Sequence, residues 1–339
     1  MSTHPTARAP LTPGRALVAI LGLVPVILSV ALWAFVWPSA ASASREVPIG
    51  VAGPAAATAP IEKNLSQSGD AFEVHSYQDE AAAREAIKER DIYLAVVVTP
   101  KGPKGLTASA ASPVTTQSLK AMFDKQHPEK AGLPMTDVVA APEGDSRGAG
   151  FGISTLPITI AGVAAGVLTF TFGLRGVRAS VALLGASAMT GLVGNLIMHN
   201  WIGVLSGGWW AEAGALALMA LSISSVVAGL ARLVGPAGLG LGAALAILGN
   251  PFSGATSAPE MLPAPMGAIG QWLQPGAGSS LLRSVSFFDG NAAGGPVLVL
   301  SLWAAAGLAL VALAGLRHRG ASSGHDVADP EERTAAPVG

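Results

Sequence analysis

Apolar residues gather into long runs along this chain, and one extended polar block separates the first run from the rest. A helix needs about 20 apolar residues, rising 1.5 Å each, to cross roughly 30 Å of hydrocarbon. Six segments meet or approach that length, near residues 16–37, 153–173, 178–199, 211–233, 236–253 and 296–316. The fifth is short, carries Gly238, Gly240 and Gly242, and closes at Asn250-Pro251, so it predicts a broken or barely spanning helix. Within the polar block the periodicity changes. Val47–Val51, Phe72–Tyr77 and Tyr93–Val98 read as strands, and Leu106–Ala111 as a further one. Asp79–Asp91 reads as a helix with Glu80 and Arg84 at i,i+4 and Ala83, Ala86 and Ile87 on an apolar face. Val114–Lys125, starting just after Pro113, reads as another. Strands alternating with helices predict a small α/β domain, large enough to bury its own core.

The expected fold is therefore an α-helical multi-pass membrane protein of six spans, with an extracytoplasmic α/β domain inserted between spans one and two. Its parts are a tail at 1–15, a first span at 16–37, the α/β domain at 38–150, a five-span membrane domain at 151–317 and a disordered tail at 318–339. The stretch SAASAS at Ser39–Ser44 would suit a signal-peptidase site. The apolar run before it is about 22 residues, longer than the 7–15 of a signal core, and favours an uncleaved anchor.

Composition sharpens this picture. Of the 339 residues half are hydrophobic and only 12% charged, far below the roughly 25% of soluble domains. A net charge of −1 without a basic stripe argues against a nucleic-acid partner. The absence of cysteine excludes disulfides and thiolate chemistry. Every lysine falls between Lys63 and Lys130. Arginines instead flank the spans: Arg8 and Arg15, Arg175 and Arg178, Arg232, Arg317 and Arg319. With six spans these all share one side, whereas the opposite short loop Trp201–Trp210 has no charge, so both termini are expected in the cytoplasm of a cell whose plasma membrane holds the protein. The lysine block is then outside, which long loops permit.

Catalytic motifs are scarce. No lysine follows a glycine, so the chain has no P-loop and no ATPase of its own. The one Gly-x-Ser-x-Gly match, Gly144–Gly148, lies in a polar linker without the strand-turn-helix context of a nucleophile elbow. The six histidines are scattered, and no enzyme, metal site or cofactor is expected. Polar groups near the bilayer remain. Asn195 and His199 share a helix face, and Glu212 follows Trp209-Trp210. They read either as a shared cavity or relay, or as the ordinary polar ends of an interfacial Trp belt. Small-residue pairs Gly162/Gly166 and Gly238/Gly242 predict close helix packing, within one chain or between two. The stretch 249–295 holds prolines at 251, 259, 263, 265 and 275 that forbid one continuous helix, yet parts of it are apolar enough to enter a bilayer. It reads as a re-entrant segment or as a loop with interfacial helices.

One span, a soluble domain whose Tyr-Leu-Ala-Val-Val-Val strand follows an Ala/Glu/Arg helix, and then five spans: this layout resembles the ABC-type-2 permeases, nearest their phage-infection-protein-like branch. Asn-Pro-Phe-Ser-Gly at 250–254 and Gln-Pro-Gly-Ala-Gly at 274–278 are similar to the region before the last span in that branch. The resemblance implies pairing with a separate ATPase subunit, often as a homodimer, and a re-entrant segment that helps close the outer side of a path. The short loop Gly173–Ser180 offers such an ATPase little surface. The expected function is a permease-like export component for a lipid, glycan or hydrophobic small molecule, in contact with membrane lipids. Its candidate path or gate residues are Asn195, His199, Glu212, Asn250, Pro251, Glu260, Gln271 and Arg283. The alternative is a non-transporting scaffold or surface receptor that works through its extracytoplasmic domain.

Overall fold

The computed structural model describes residues 13–43, 45–67, 71–126 and 134–323. The expected tails fall mostly outside the described residues, as do Arg8, Ser44 and Lys130. Helix α1 (Pro13–Ala40) is apolar on every side. Among the described side chains of its 21–36 stretch only Ala34 is buried, as expected of a helix whose solvent is lipid.

The polar block folds as β1 (Val47–Ala52), α2 (Ala55–Ser66), β2 (Phe72–Tyr77), α3 (Glu80–Lys88), β3 (Leu94–Thr99), β4 (Gly102–Thr107), α4 (Pro113–Gln126) and β5 (Met135–Asp137). The sheet order is β2-β1-β3-β4-β5, antiparallel only between β3 and β4. Two β-α-β crossovers build its first half. Asp79 caps α3 by accepting the Ala82 N–H at 2.9 Å. Glu80 pairs with Arg84 of the same helix at 2.9 Å and ties that helix to the sheet through Lys104 of β4 at 2.6 Å. Helix α2 forms although Pro60 sits inside it; burial of Thr58 and Leu65 against the sheet outweighs that penalty. The expected strand at Leu106–Ala111 is displaced. The Pro100-Lys101 turn is only two residues long, so β4 begins at Gly102 and pairs with β3 from Thr99↔Gly102 onward.

The described chain then enters a helical bundle of α5 (Ala149–Thr171), α6 (Gly176–Asn195), running on as a π-helix over Leu196–Ile202, α7 (Trp209–Val234) and α8 (Ala237–Gly249). After a 3₁₀ turn at Pro259–Met261 come α9 (Met266–Trp272), α10 (Gln274–Phe287) and α11 (Gly294–Ser323). Among the described residues five helices are long and apolar enough to cross a membrane: α1, α5, α6 with its π-helical extension, α7 and α11. This fits a multi-pass membrane protein. The expected sixth crossing, at 236–253, is α8, whose 13 residues reach about 20 Å. The helix stops where Asn250-Pro251 ends it.

Helix α7 is the axis of the bundle. Its small residues let neighbours approach until their backbones touch. A Cβ on Gly166 would lie 2.7 Å from the Ser224 carbonyl oxygen, and one on Gly191 2.3 Å from that of Ala213. Both small-residue pairs read in the sequence are used here within the chain: Gly162 and Gly166 against α7, and Gly238 and Gly242 against its last turns.

Candidate functional site

The stretch 250–295 is irregular but not loose. Phe252 to Ala255, Ala258, Met261 and Leu262 are buried, and almost all of α10 is enclosed by protein. Gly278 of α10 abuts Met219, ten residues inside α7 from Trp209, or about 15 Å along that helix. At its other end α10 meets the 203–208 loop, where Gly207 packs on Val285 and Ser286. Helix α10 thus runs from the level of the middle of α7 to the level of its start.

The same stretch completes the α/β domain. Ala258 and Met261 join the cluster of Val47, Ile49, Val51, Leu65, Leu94 and Val96 on one face of the sheet. Phe288 joins that of Ala83, Ile87, Ile92, Ala95 and Leu106 on the other. The core expected to be self-contained is therefore shared. Polar contacts fix the joint. The Ala43 and Arg45 N–H groups donate to the Met261 and Glu260 carbonyls at 3.1 and 3.3 Å. The Tyr93 hydroxyl donates to Glu260 Oε2 at 2.9 Å. Burial, reinforced by the Glu260 carboxylate, pushes the Tyr93 phenol up, so it remains the donor. Arg90 donates to the Ser280 carbonyl at 3.0 Å and to Ser284 Oγ, and lies over the Phe288 ring. Its backbone is left-handed, φ 67°, a conformation that favours glycine. The side chain's reach into α10 accounts for an arginine there.

Between the domain and this stretch lies a cavity of about 730 Å³. Arg45, Glu46, Glu73, Arg90, Tyr93, Glu260 and Gln271 give it polar walls, and Leu262, Trp272, Leu298 and Val299 apolar ones. It meets the sheet at the amino ends of β1 and β3, through Pro48 and Ile92, and it borders the first turn of α11. Gln271 is held in place by donating to the Ser253 carbonyl at 3.0 Å and accepting from Ser280 at 2.6 Å.

The expected path residues separate into three groups. Glu260 and Gln271 line this cavity. Arg283 is buried behind it, donates to the Ala255 carbonyl at 2.9 Å and stacks on Phe151. Asn250 is a bracket inside the bundle: it donates to Thr159 Oγ1 at 2.8 Å and accepts from Thr155 at 3.0 Å, and Pro251 opens the turn that follows. Asn195, His199 and Glu212 form a third group where α6 and its extension end and α7 begins. His199 Nδ1 meets Glu212 Oε2 at 2.7 Å, the Gly207 N–H donates to Oε1 at 2.7 Å, and Asn195 donates to the Trp209 carbonyl at 2.9 Å. Both oxygens of fully buried Glu212 are thereby engaged in holding the 203–208 loop. Arg90, Tyr93, Arg45 and Trp272 were missed. No local pattern marks them: Tyr93 and Arg90 meet partners 167 and 190 positions away, and Arg45 and Trp272 reach the same cavity from opposite ends of that span. Ser146 of the Gly-x-Ser-x-Gly match sits where Asp145 accepts the Gly150 and Phe151 N–H groups and caps α5. Among the described residues no cluster of three or more metal-ligating side chains occurs.

The chain matches no protein-family model, no curated protein and no solved structure.

Proposed function

We propose that this protein is a permease-like component that moves an amphiphile, a lipid or lipid-linked molecule, from the membrane to the outer surface. The observation that carries this reading is the cavity of about 730 Å³ with polar groups from the α/β domain on one side and the apolar first turn of α11 on the other. Such a cleft accepts a polar head while leaving an apolar tail beside the membrane helices. The depth of α10 supports it too: non-helical backbone at that level must be covered by protein or line a cavity, and 250–265 meets that requirement. In this reading both termini are cytoplasmic, the α/β domain is outside, and work is supplied by a separate ATPase or by another source, with a homodimer as the permease-like assembly.

The chain has no cysteine, so sidedness is directly measurable. Lys63→Cys should react with an impermeant maleimide on intact cells, and Ala237→Cys only after permeabilisation. Export is tested by filling the cleft. Ala268→Trp and deletion of the gene should reduce the appearance of the same lipid or amphiphile outside the cell. If sidedness holds but neither change alters any exported lipid, glycan or toxic amphiphile, and no ATPase copurifies, transport is refuted and a receptor role for the outer domain takes its place.

A further inference from the structure

A second cavity, of about 380 Å³, lies at the opposite end of the bundle, between the last turns of α7 and the corresponding turns of α11. Its polar groups are two guanidiniums, Arg232 from the last turn of α7 and Arg175 from the α5–α6 connection. Its other walls are apolar, with Phe170, Leu310, Val311 and Leu313 among them. No acidic side chain pairs with either arginine among the described residues; the charge acting on Arg232 is that of Arg175, another cation. Two like charges facing one cavity repel, and an anion placed between them relieves that repulsion.

The local geometry keeps donors free for such an anion. Arg232 lies over the Phe170 ring, 4.8 Å from its centre, and uses a single nitrogen, Nη2, to cap the Thr169 and Leu174 carbonyls at the end of α5. Its Nε and Nη1 groups donate to no described residue, and neither does any nitrogen of Arg175. The stacking and the cap fix the guanidinium plane, so the Nε and Nη1 donors are each held ready to donate singly. Arg175, engaged by no described residue, keeps a whole guanidinium edge, whose parallel N–H groups match the spacing of phosphate oxygens.

We infer that Arg175 and Arg232 form a binding site for the phosphate of an anionic phospholipid, whose acyl chain lies along the apolar walls of α7 and α11. The walls decide between a lipid and a free phosphate: Leu233 and Leu313 beside the arginines are 59% and 55% exposed, and both belong to helices that carry span-length apolar sequence. A soluble anion would leave that surface uncovered. The site is far from the outer cleft and does not depend on what the cleft carries. On the orientation given above, the lipid belongs to the cytoplasmic leaflet, where basic side chains meet anionic headgroups.

The experiment uses the full chain purified in a neutral detergent. Thermal unfolding and native mass spectrometry are followed as phosphatidylglycerol, phosphatidylcholine or glycerol 3-phosphate is added. Phosphatidylglycerol should raise the unfolding temperature and remain bound as discrete adducts, with little effect from the other two. Arg232→Gln removes the cap on α5 and so confounds binding with folding. Arg175→Gln is the cleaner variant, because that side chain has no partner in the described protein; it should leave the lipid-free unfolding temperature unchanged and weaken phosphatidylglycerol binding roughly fivefold. Equal stabilisation by phosphatidylcholine, equal stabilisation by glycerol 3-phosphate alone, or full phosphatidylglycerol affinity in Arg175→Gln would each overturn the assignment.

Discussion

Gly166 is the sharpest test of how the bundle is assembled. A Cβ there would lie 2.7 Å from the Ser224 carbonyl oxygen and 2.7 Å from Val227 Cβ, where ordinary contacts begin near 3.4 Å. Neither neighbour can rotate away, because one is backbone and the other is the first carbon of a branched side chain. Gly166→Ala must therefore push α5 from α7 by several tenths of an ångström, along an interface that also includes Gly162 against Ile223. Overpacking of this kind costs about 2 kcal/mol. At roughly 3 °C per kcal/mol for a large domain, the unfolding temperature in detergent should fall by about 6 °C. Gly185→Ala is the matched control. It adds the same methyl to a helix of the same bundle, and nothing lies within 4 Å of it. It should be neutral or slightly stabilising, since alanine loses less conformational freedom in a helix. If the small-residue pair instead serves contact between two copies, Gly166→Ala would shift the oligomeric state while the monomer unfolds as before. That result, or equal unfolding temperatures for the two variants, would refute the packing argument.

Two further outcomes concern the α/β domain. Tyr93→Phe leaves Glu260 without its phenol donor in the shared interface, an expected cost of about 1–3 kcal/mol; hydrogen exchange should quicken in 255–272 and leave the interior of α7 unchanged, and protection equal to wild type in 255–272 would argue against the joint. Acid should loosen the contact of α3 with β4: Lys104 and Arg84 hold the Glu80 carboxyl below the usual carboxylate range, so its contribution is full above the unfolded value of about 4.3 and is lost as pH falls below it. Thermal unfolding between pH 5 and 3 should fall more steeply in wild type than in Glu80→Gln, by less than about 1 kcal/mol since the pair is partly exposed; parallel curves would remove Glu80 from the account.

Much of this protein was legible in its sequence because the properties concerned are local. Apolar runs of span length mark α1, α5, α6, α7 and α11 wherever they pack. Asp79 caps α3 and Glu80 pairs with Arg84 within a single helical turn, so both were readable without a fold. The Asn-Pro at 250–251 ends α8 by its own covalent geometry. Tertiary structure decided what depends on partners distant in sequence. Only the fold takes up Pro60 in a helix, because the gain comes from burial against the sheet. Only the fold puts Met261 and Phe288 into the two cores of a domain more than a hundred residues earlier, where hydrophobic contact has no sequence period to betray it. The same holds for Tyr93 with Glu260, 167 positions apart, and for Arg90 with Ser280, 190 apart. His199 and Glu212 could be suspected from spacing, but whether they face a cavity or staple a loop depends on where Gly207 folds back, and that is settled by packing alone.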